Sequence, residues 1–420
     1  MADKSNITPY IPKLDLFLDV NMPRIEHYIE QLRKEIGLRQ NSQIKALKLL
    51  LCNLYIEQDR EIMLSRKKQS LGVSKYNPLG IGYRGIISAL DSLHHHNWII
   101  QVIGIPGETL TTMKATPKLH QWFEDTGWSE EAIDVRCGQF ITLRKNKKVN
   151  GRRVYIDYQD TVYSNWLRKE LKKYNELLNN NHIFLEGLNG EEGKVFKHLT
   201  LQRKFIRHKV NKVNNGEFIF SGRMPGPWTN ISEEDRKRIL INGEPTIELD
   251  REASHLNAMY QVVTGKPYPY GDAYEVSING LKVPRHIIKK FSNFMQGGKS
   301  ARGTAQSVIN NYKNESELKE YEEYLEIKKT IKPTDIVKAI LKKHPKIAPY
   351  YLRGKEYGDY IRCWESDIVF EVVMELTKRE IPCLTVYDSF IVPLQYKQLV
   401  DNIKDITPYI NRRKLDKVLV

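Results

Sequence analysis

The chain contains no run of about 18 consecutive apolar residues, so its sequence predicts no membrane-spanning helix. Its cysteines, Cys52, Cys137, Cys363 and Cys383, are scattered, and no CxxC pair or Cys/His cluster accompanies them. Neither a disulfide framework nor a zinc site is therefore predicted. The first residues lack the apolar segment of a signal peptide, which argues against secretion. These absences favour a cytoplasmic protein that does not act at a membrane.

Positive charge is in clear excess, because 66 Lys and Arg residues outnumber 51 Asp and Glu residues and give a net charge of +15 at pH 7. Such an excess favours a polyanionic partner, since each phosphate that a lysine or arginine neutralises releases counterions. The alternative is a lysine-rich surface that is only solvated. The length of 420 residues leaves room for two or three domains.

Two shifts in composition divide the chain, which has no internal repeat and no long low-complexity tract. The first is the basic stretch 144–153, and the second is the Asn- and Gly-rich region 179–193. We therefore expect an N-terminal block at 1–150, a helical connector at 151–199 that could serve as a thumb-like element, and a C-terminal block at 200–420.

The N-terminal block has the pattern of two helices followed by a hairpin. Apolar periodicity predicts helices at 43–59 and 83–95, and strands are expected at 98–103 and 110–113. This order resembles a winged helix, a variant of the helix-turn-helix that binds nucleic acid. An accessory helical domain that touches no DNA is the alternative.

Two aspartates of the C-terminal block stand where strands end. Asp250 closes the run 246–250, in which three apolar or β-branched residues lead to the aspartate, and precedes a predicted helix at 251–264, which Gly265 would stop. Asp388 lies at the tip of a predicted hairpin at 383–393. Carboxylates in such places could serve as metal ligands on a rigid scaffold. Each could also be an ordinary helix cap or turn residue.

Between the two aspartates, residues 284–298 read as a helix with cationic and polar side chains and a closing Gly pair. The side chains of this stripe and its flanks are Arg285, His286, Lys289, Lys290, Asn293 and Gly297. A stripe of this kind suits a triphosphate, although a surface basic helix would look the same.

In this order, the three segments resemble motifs A, B and C of the family A DNA polymerases and the related single-subunit phage-type RNA polymerases. Motif A is a strand that ends in Asp, here Asp250. Motif B has the form Arg-x-x-x-Lys-x-x-Asn-Phe, and 290–294 match its second half, with His286 at the arginine position. Motif C is His-Asp-Glu or His-Asp-Ser, and 387–389 read Tyr-Asp-Ser.

Flanking segments extend the resemblance over about 200–420. Gly222 and Arg223 are similar to a Gly-Arg segment that contacts the template–primer before motif A, and Arg236 follows in the same region. The segment 365–376 resembles the helix that leads to motif C. Gly271 and Asp272 resemble a Gly-Asp segment after motif A.

The resemblance implies an α+β fold with a right-hand polymerase palm, built on an antiparallel sheet, and helical fingers. In the sequence, the mostly helical winged-helix-like domain precedes them. It implies a small DNA-directed DNA polymerase with two Mg²⁺ ions, or Mn²⁺ in their place, and no proofreading. Its partners would be a DNA template–primer and nucleoside triphosphates; the sequence indicates no protein partner. Replication of a phage or other mobile element would suit such an enzyme.

Roles follow from the matched positions. The expected metal ligands are Asp250, Asp388 and the backbone carbonyl of Arg251, and Lys290 is expected to join the two aspartates in catalysis. The expected nucleotide-binding residues are Arg285, His286, Lys289, Asn293, Phe294 and His255. The expected nucleic-acid contacts are Arg223, Arg236 and Tyr387.

Departures from the pattern keep other functions open. His255 replaces a Glu that blocks ribose in the DNA polymerases, Gly297 and Gly298 replace a Tyr-Gly pair, and Ser389 is closer to the RNA polymerases. A primase-like or single-subunit RNA polymerase is the first alternative. The second, of another class, is a non-catalytic replication initiator or DNA-binding regulator with a degenerate palm. A two-metal nuclease is a further alternative.

Overall fold

In the computed structural model of the chain, the described residues are 11, 14–58, 60–66, 74–77, 79–105, 108–135, 139–149, 152–188, 193–208, 218–315 and 318–413. They form a mixed α+β structure in which the recorded strand pairs are antiparallel. Among these residues, no helix combines the length and the apolar character needed to cross a membrane.

The described part of the chain contains both helices and strands. The helices are α1 (Pro23–Glu35), α2 (Asn41–Glu57), α3 (Tyr83–His95), α4 (Pro117–Thr126), α5 (Val162–Asn179), α6 (Glu233–Arg236), α7 (Ser254–Thr264), α8 (Arg285–Gly297), α9 (Ala301–Glu315), α10 (Leu318–Thr330), α11 (Pro333–Lys343), α12 (Lys355–Lys378) and α13 (Lys397–Lys404). The strands are β1 (Leu18–Val20), β2 (Ile62–Leu64), β3 (Ile99–Val102), β4 (Thr111–Ala115), β5 (Ile133–Val135), β6 (Ile141–Val149), β7 (Arg152–Tyr155), β8 (Ile183–Leu185), β9 (Lys194–Phe196), β10 (Arg203–Arg207), β11 (Ser221–Arg223), β12 (Ile239–Ile241), β13 (Glu244–Asp250), β14 (Val276–Ile278), β15 (Leu281–Val283), β16 (Leu384–Val386) and β17 (Ser389–Pro393).

The chain divides into two compact units. The first comprises the described residues of Met1–Gln159, Val195–Gln202 and Asn230–Arg236. The second comprises those of Asp160–Lys194, Arg203–Thr229 and Lys237–Val420.

In the first unit, the predicted helices and strands are present. Helix α3 has the predicted bounds, α2 covers most of 43–59, and β3 and β4 form the expected hairpin. Strand β4 also pairs with β2, so the sheet has the order β2-β4-β3. The helices bury apolar side chains such as Leu50 and Leu90 against it. Apolar periodicity therefore sufficed to place the elements of this core.

The basic stretch 144–153, which we expected to mark a boundary, contains most of the β6–β7 hairpin of the first unit. Its turn residues 150–151 lie outside the described residues. The first unit continues beyond this stretch to Gln159.

The second unit is built on an antiparallel sheet in which neighbouring strands follow the order β16-β17-β13-β12-β8. The long helix α12 supplies much of the core and packs against α7 and α8. The expected connector helix is α5, which belongs to this unit: the Tyr174 hydroxyl donates to the Cys383 carbonyl, 2.6 Å away. Helix α5 thus anchors the start of the β16–β17 hairpin.

The segment after β13 differs from its prediction. We expected the helix to begin at residue 251, but α7 begins at Ser254, and Arg251 to Ala253 form a turn. Ala253 has φ +40°, in the left-handed region that residues with a Cβ rarely adopt. This turn lets the chain leave the sheet beside Asp250. Gly265, with φ +77°, ends α7 as predicted.

Candidate functional site

Asp250 and Asp388 lie at the same end of two paired strands. Strands β13 and β17 run antiparallel with Asp250 opposite Ser389, and Asp388 immediately precedes Ser389. The Ser389 hydroxyl donates a hydrogen bond to Oδ1 of Asp250. Strand register therefore brings together two carboxylates that are 138 positions apart in the sequence.

The turn that carries Asp388 is short and fixed. Val386 pairs with Ser389, so Tyr387 and Asp388 alone form the hairpin loop, and Tyr387 takes φ +57°. A two-residue hairpin requires such a positive φ to match the twist of its strands. The indole Nε1 of Trp228 donates to the Thr385 carbonyl at 2.9 Å, which holds the hairpin from one side. The carboxylate thus stands on a rigid support.

The two aspartates open into a cavity of about 370 Å³, which we name the carboxylate cavity. The residues that line it are Asp250, Arg251, Glu252, Ala253, Ser254, His255, Tyr274, Arg285, Lys289, Asn293 and Asp388. One wall is acidic, and the wall contributed by α8 is cationic and polar. A cavity of this size and charge pattern suits an anionic ligand that arrives with cations.

Sequence reasoning missed a third carboxylate beside this cavity. Glu365 of α12 is buried, accepts a hydrogen bond from Nη2 of Arg223 at 3.0 Å, and has Nδ1 of His255 3.0 Å from its Oε1. At this distance a protonated His255 would form an ion pair with the Glu365 carboxylate. The available signal was the helical spacing that puts Glu365 on the same face as apolar Ile361 and Ile368, where a buried charge needs a partner.

The two neighbouring carboxylates have opposite pKa shifts. Burial and the negative charge of Glu365 raise the pKa of Asp388, and the charges of His255 and Arg223 offset this only in part. Burial would also raise the pKa of Glu365, but His255 and Arg223 outweigh it, and the pKa lies well below its usual range. Glu365 is therefore an ion-pair partner, whereas Asp388 is a carboxylate that an added cation would stabilise.

Arg223 and Tyr387 contact each other at the rim. The Arg223 guanidinium lies 4.8 Å from the centre of the Tyr387 ring while it binds Glu365. Tyr387 is exposed, and the Arg223 side chain is partly so. These two predicted nucleic-acid contacts thus form one surface next to Asp388. Arg236, the third, lies in the first unit, where its Nη1 donates to the Ile231 carbonyl at 2.7 Å.

Arg251 is buried, and its Nε donates to the Lys404 carbonyl at 2.7 Å. Burial lowers its pKa, and the nearby carboxylates of Asp405, Glu365 and Asp388 counteract this. Its side chain therefore ties the turn after β13 to the end of α13. The predicted role of its backbone carbonyl as a metal ligand stays a prediction.

One face of α8 lines the carboxylate cavity. Arg285, Lys289 and Asn293 recur every four residues and so lie on one side of the helix. Asp272 holds Arg285, with Oδ2 2.9 Å from Nε, and the guanidinium lies 5.1 Å from the centre of the Tyr274 ring. Lys289 is exposed and has no ion-pair partner among the described residues.

The adjacent face of α8 lines a second cavity of about 630 Å³, which we name the outer cavity. Its lining residues are Arg285, His286, Lys289, Lys290, Asn293, Phe294 and Glu320. Nζ of Lys290 is 3.3 Å from Glu320 and 3.9 Å from the centre of the Tyr312 ring. Nε2 of His286 is 3.7 Å from Glu323. Both side chains thus have acidic neighbours on α10.

Within the described part of the chain, no three His, Cys, Asp or Glu side chains are arranged to hold a metal ion on their own. Asp250 and Asp388 are the two carboxylates that line the carboxylate cavity near each other. Carboxylate pairs of this kind fit a hard divalent cation that takes its remaining ligands from water and a phosphate substrate.

Comparisons with models of known protein families, with curated proteins and with solved structures found no match to this chain. Its function is therefore inferred from the residues of the two cavities and their surroundings.

Proposed function

We propose that this chain is a template-directed nucleotidyltransferase, with DNA-directed DNA synthesis as its main activity. The observation that carries the proposal is the β13–β17 register, which places Asp250 and Asp388 across the carboxylate cavity from the cationic face of α8. Nucleotidyl transfer would use both walls, because the carboxylates would hold divalent cations and the cationic face of α8 would bind the phosphates of the substrate. On this proposal the sheet of the second unit is a polymerase palm, and α8 belongs to the fingers.

The donor set fits two Mg²⁺ ions. Two carboxylates suffice, because Mg²⁺ retains water and binds substrate phosphates rather than an all-protein cage. The raised pKa of Asp388 supports this assignment, since a half-buried carboxylate beside Glu365 is stabilised by an added cation. When bound, such ions would supply positive charge that stabilises the in-line displacement at the phosphate.

The side chains of the chain have separate tasks in this mechanism. Asp250 and Asp388 hold the cations, and the hydroxyl of Ser389 fixes the orientation of the Asp250 carboxylate. Lys289 and Arg285 face the place where negative charge develops on the leaving pyrophosphate, and preorganised charges of this kind lower the barrier. Asp272 keeps Arg285 in position. Lys290, the catalytic lysine expected from the sequence, is a weaker candidate here because it contacts Glu320 and Tyr312.

Binding of the nucleic acid is assigned to both units. Arg223 and Tyr387 would contact the primer–template next to Asp388. In the first unit, the sheet order β2-β4-β3 with α2 and α3 supports the proposal of a winged helix. Phosphate contacts from such elements position a duplex without reading its sequence.

An NTP-using enzyme, such as a primase-like or single-subunit RNA polymerase, is the second candidate. It is favoured by His255, which lines the carboxylate cavity and is held by Glu365, at the position where a ribose-excluding Glu would stand. The Ser389 hydroxyl, bonded to Asp250, adds to this.

The test is primer extension with Mg²⁺ and either dNTPs or NTPs, for the parent chain and for Asp250→Asn and Asp388→Asn. We expect extension with dNTPs and a loss of at least about 1,000-fold in each variant, because each removes several kcal/mol of transition-state stabilisation. Glu244→Gln, at the exposed opposite end of β13, is the matched control and should extend like the parent.

Extension with NTPs alone would select the second candidate. If neither substrate is incorporated while DNA binding is intact, the proposal is wrong, and a non-catalytic initiator or regulator is favoured. Extension that survives both Asp→Asn changes would overturn the assignment of the metal site.

A further inference from the structure

An exposed aromatic residue stands on a stiff loop next to the carboxylate cavity. Tyr270 is 71% exposed and ends the segment 266–270, in which Pro267 and Pro269 alternate with Tyr268 and Tyr270. Each proline fixes its own φ, and the residue before it is restricted as well. The loop therefore presents the Tyr270 ring to solvent at little further cost in conformational entropy.

Tyr268 anchors this loop to the end of α11. Its backbone N–H donates to Oδ1 of Asn257 at 2.9 Å, and its ring lies 5.0 Å from that of His344 and 5.5 Å from that of Tyr270. His344 is itself buried and fixed by the Ala273 carbonyl, 2.9 Å from Nε2. The exposed ring of Tyr270 thus stands on a packed aromatic base.

Exposed lysines flank Tyr268 and its neighbour His344 in the sequence. Lys342 and Lys346 lie two residues on either side of His344, and Lys266 lies two residues before Tyr268. All three are exposed and have no carboxylate partner among the described residues. Burial lowers the pKa of His344 to about 4, so at neutral pH the positive charge of this region comes from the lysines. We call Tyr268, Tyr270 and these three lysines the tyrosine–lysine surface.

Acidic groups of the neighbouring segments are already paired. Asp272 is held by Arg285, and Glu275 is paired with Lys282, 2.7 Å away. On α11, Asp335 is paired with Lys338. The tyrosine–lysine surface therefore keeps an unbalanced positive charge beside an exposed aromatic face.

The surface is continuous with the wall of the carboxylate cavity. Asp272 follows Tyr270 by two residues and binds Arg285, and Tyr274 lines the cavity itself. Nζ of Lys343 donates to the Asp272 carbonyl at 2.9 Å, which ties α11 to the same segment. The segment that carries Tyr270 therefore leads within four residues to Tyr274 in the wall of the cavity.

We infer that the tyrosine–lysine surface binds the single-stranded part of a nucleic acid as it approaches the carboxylate cavity, with one unpaired base stacked on Tyr270. Aromatic faces bind unpaired bases of any sequence, whereas bases stacked inside a duplex expose no such face. Lysines without carboxylate partners can neutralise the phosphates of the strand. Under the proposed function, on which this inference rests, that strand is the unpaired template.

The first experiment measures the anisotropy of a labelled oligo(dT) with the full chain, without nucleotides. Tyr270→Ala should weaken binding at least 5-fold, because stacking contributes about 1–3 kcal/mol per base, and should leave the salt dependence unchanged. Lys342→Ala with Lys346→Ala should lower the slope of log affinity against log salt by about 1.4, since each phosphate contact on a single strand accounts for about 0.7.

Controls separate stacking from folding and from unspecific charge. Tyr270→Trp keeps an aromatic face and should bind like the parent. Lys338→Ala removes a lysine of the same helix that is already paired with Asp335, and should change affinity less than twofold. Binding within twofold of the parent in both Tyr270→Ala and the double-lysine variant would overturn the inference.

A second experiment locates the contact when the first unit also binds DNA. A primer–template with 4-thiothymidine in its single-stranded 5′ overhang is photo-crosslinked, and the attached peptide is identified by mass spectrometry. We expect the peptide that contains Tyr270, and a crosslink confined to other segments would overturn the inference. A crosslink at Tyr270 without primer extension would support the inference about the tyrosine–lysine surface while the proposed function fails. If Tyr270→Ala extends primers normally on templates with long overhangs, and the parent chain gives no crosslink at Tyr270, the inference fails while the proposed function stands.

Discussion

The two faces of α8 carry similar side chains in different surroundings. On the carboxylate cavity, Lys289 has no ion-pair partner among the described residues, and Arg285 is oriented by Asp272. On the outer cavity, Lys290 and His286 face Glu320 and Glu323 of α10. A cation that already has a carboxylate partner must lose that contact before it can bind a phosphate. Lys289, which has no such partner among the described residues, is therefore the α8 cation best suited to bind a triphosphate.

The largest expected effect compares Lys289→Ala with Lys290→Ala. Loss of Lys289 should lower kcat/KM for the incoming nucleotide about 100- to 1,000-fold, as for other preorganised charges that act on a transition state. Loss of Lys290 should change it less than tenfold and act mainly on stability, through the contacts with Glu320 and Tyr312. Steady-state primer extension measures the first quantity and thermal unfolding the second. The reverse ranking would restore Lys290 as the catalytic lysine.

Residue types and local periodicity placed α8, the β16–β17 hairpin and the end of β13, because each depends on neighbouring residues in the sequence. They could not decide which face of α8 meets the carboxylates. Lys289 and Lys290 differ by one position, or about 100° around the helix, and both belong to a spacing of four residues. The choice depends on how the helix packs through buried Ile288 and Phe291, and that packing is tertiary.

Contacts between residues that are distant in the sequence could not be predicted either. Glu365 meets His255 and Arg223 across more than 100 residues, and its buried position is set by the packing of α12. The strained turn at Ala253 was missed for a different reason. Its residues have ordinary helix propensity, and only the exit of the chain beside Asp250 imposes the positive φ.

The carboxylates in and beside the carboxylate cavity give a second test, in which two substitutions should change the free energy of unfolding in opposite directions. Asp388 has a raised pKa, so its ionised form costs stability at pH 7, and Asp388→Asn should increase the free energy of unfolding at that pH. Since the cost disappears once the carboxyl is protonated, the gain should vanish below about pH 4. Denaturant unfolding in EDTA measures it.

Glu365→Gln is the matched counterpart. The lowered pKa of Glu365 means that its charge stabilises the fold above the unfolded-state pKa, and that this contribution is lost as pH falls through the folded-state pKa. The free energy of unfolding of the variant should therefore fall by about 3 kcal/mol at pH 7, because Arg223 and His255 lose their buried carboxylate partner. Equal signs for the two substitutions would contradict the opposite roles assigned to these carboxylates.

The smallest expected effect comes from neutralising the acidic neighbours on α10 with Glu320→Gln and Glu323→Gln. Both carboxylates are partly exposed, and such ion pairs contribute at most about 1 kcal/mol, so thermal unfolding should change little. KM for the nucleotide should change less than about threefold, because Lys289 already lacks an acidic partner and gains nothing from the substitutions. A marked fall in KM would instead mean that α10 competes with the triphosphate for Lys290 and His286. In that case the outer cavity, rather than the carboxylate cavity alone, would receive the phosphates.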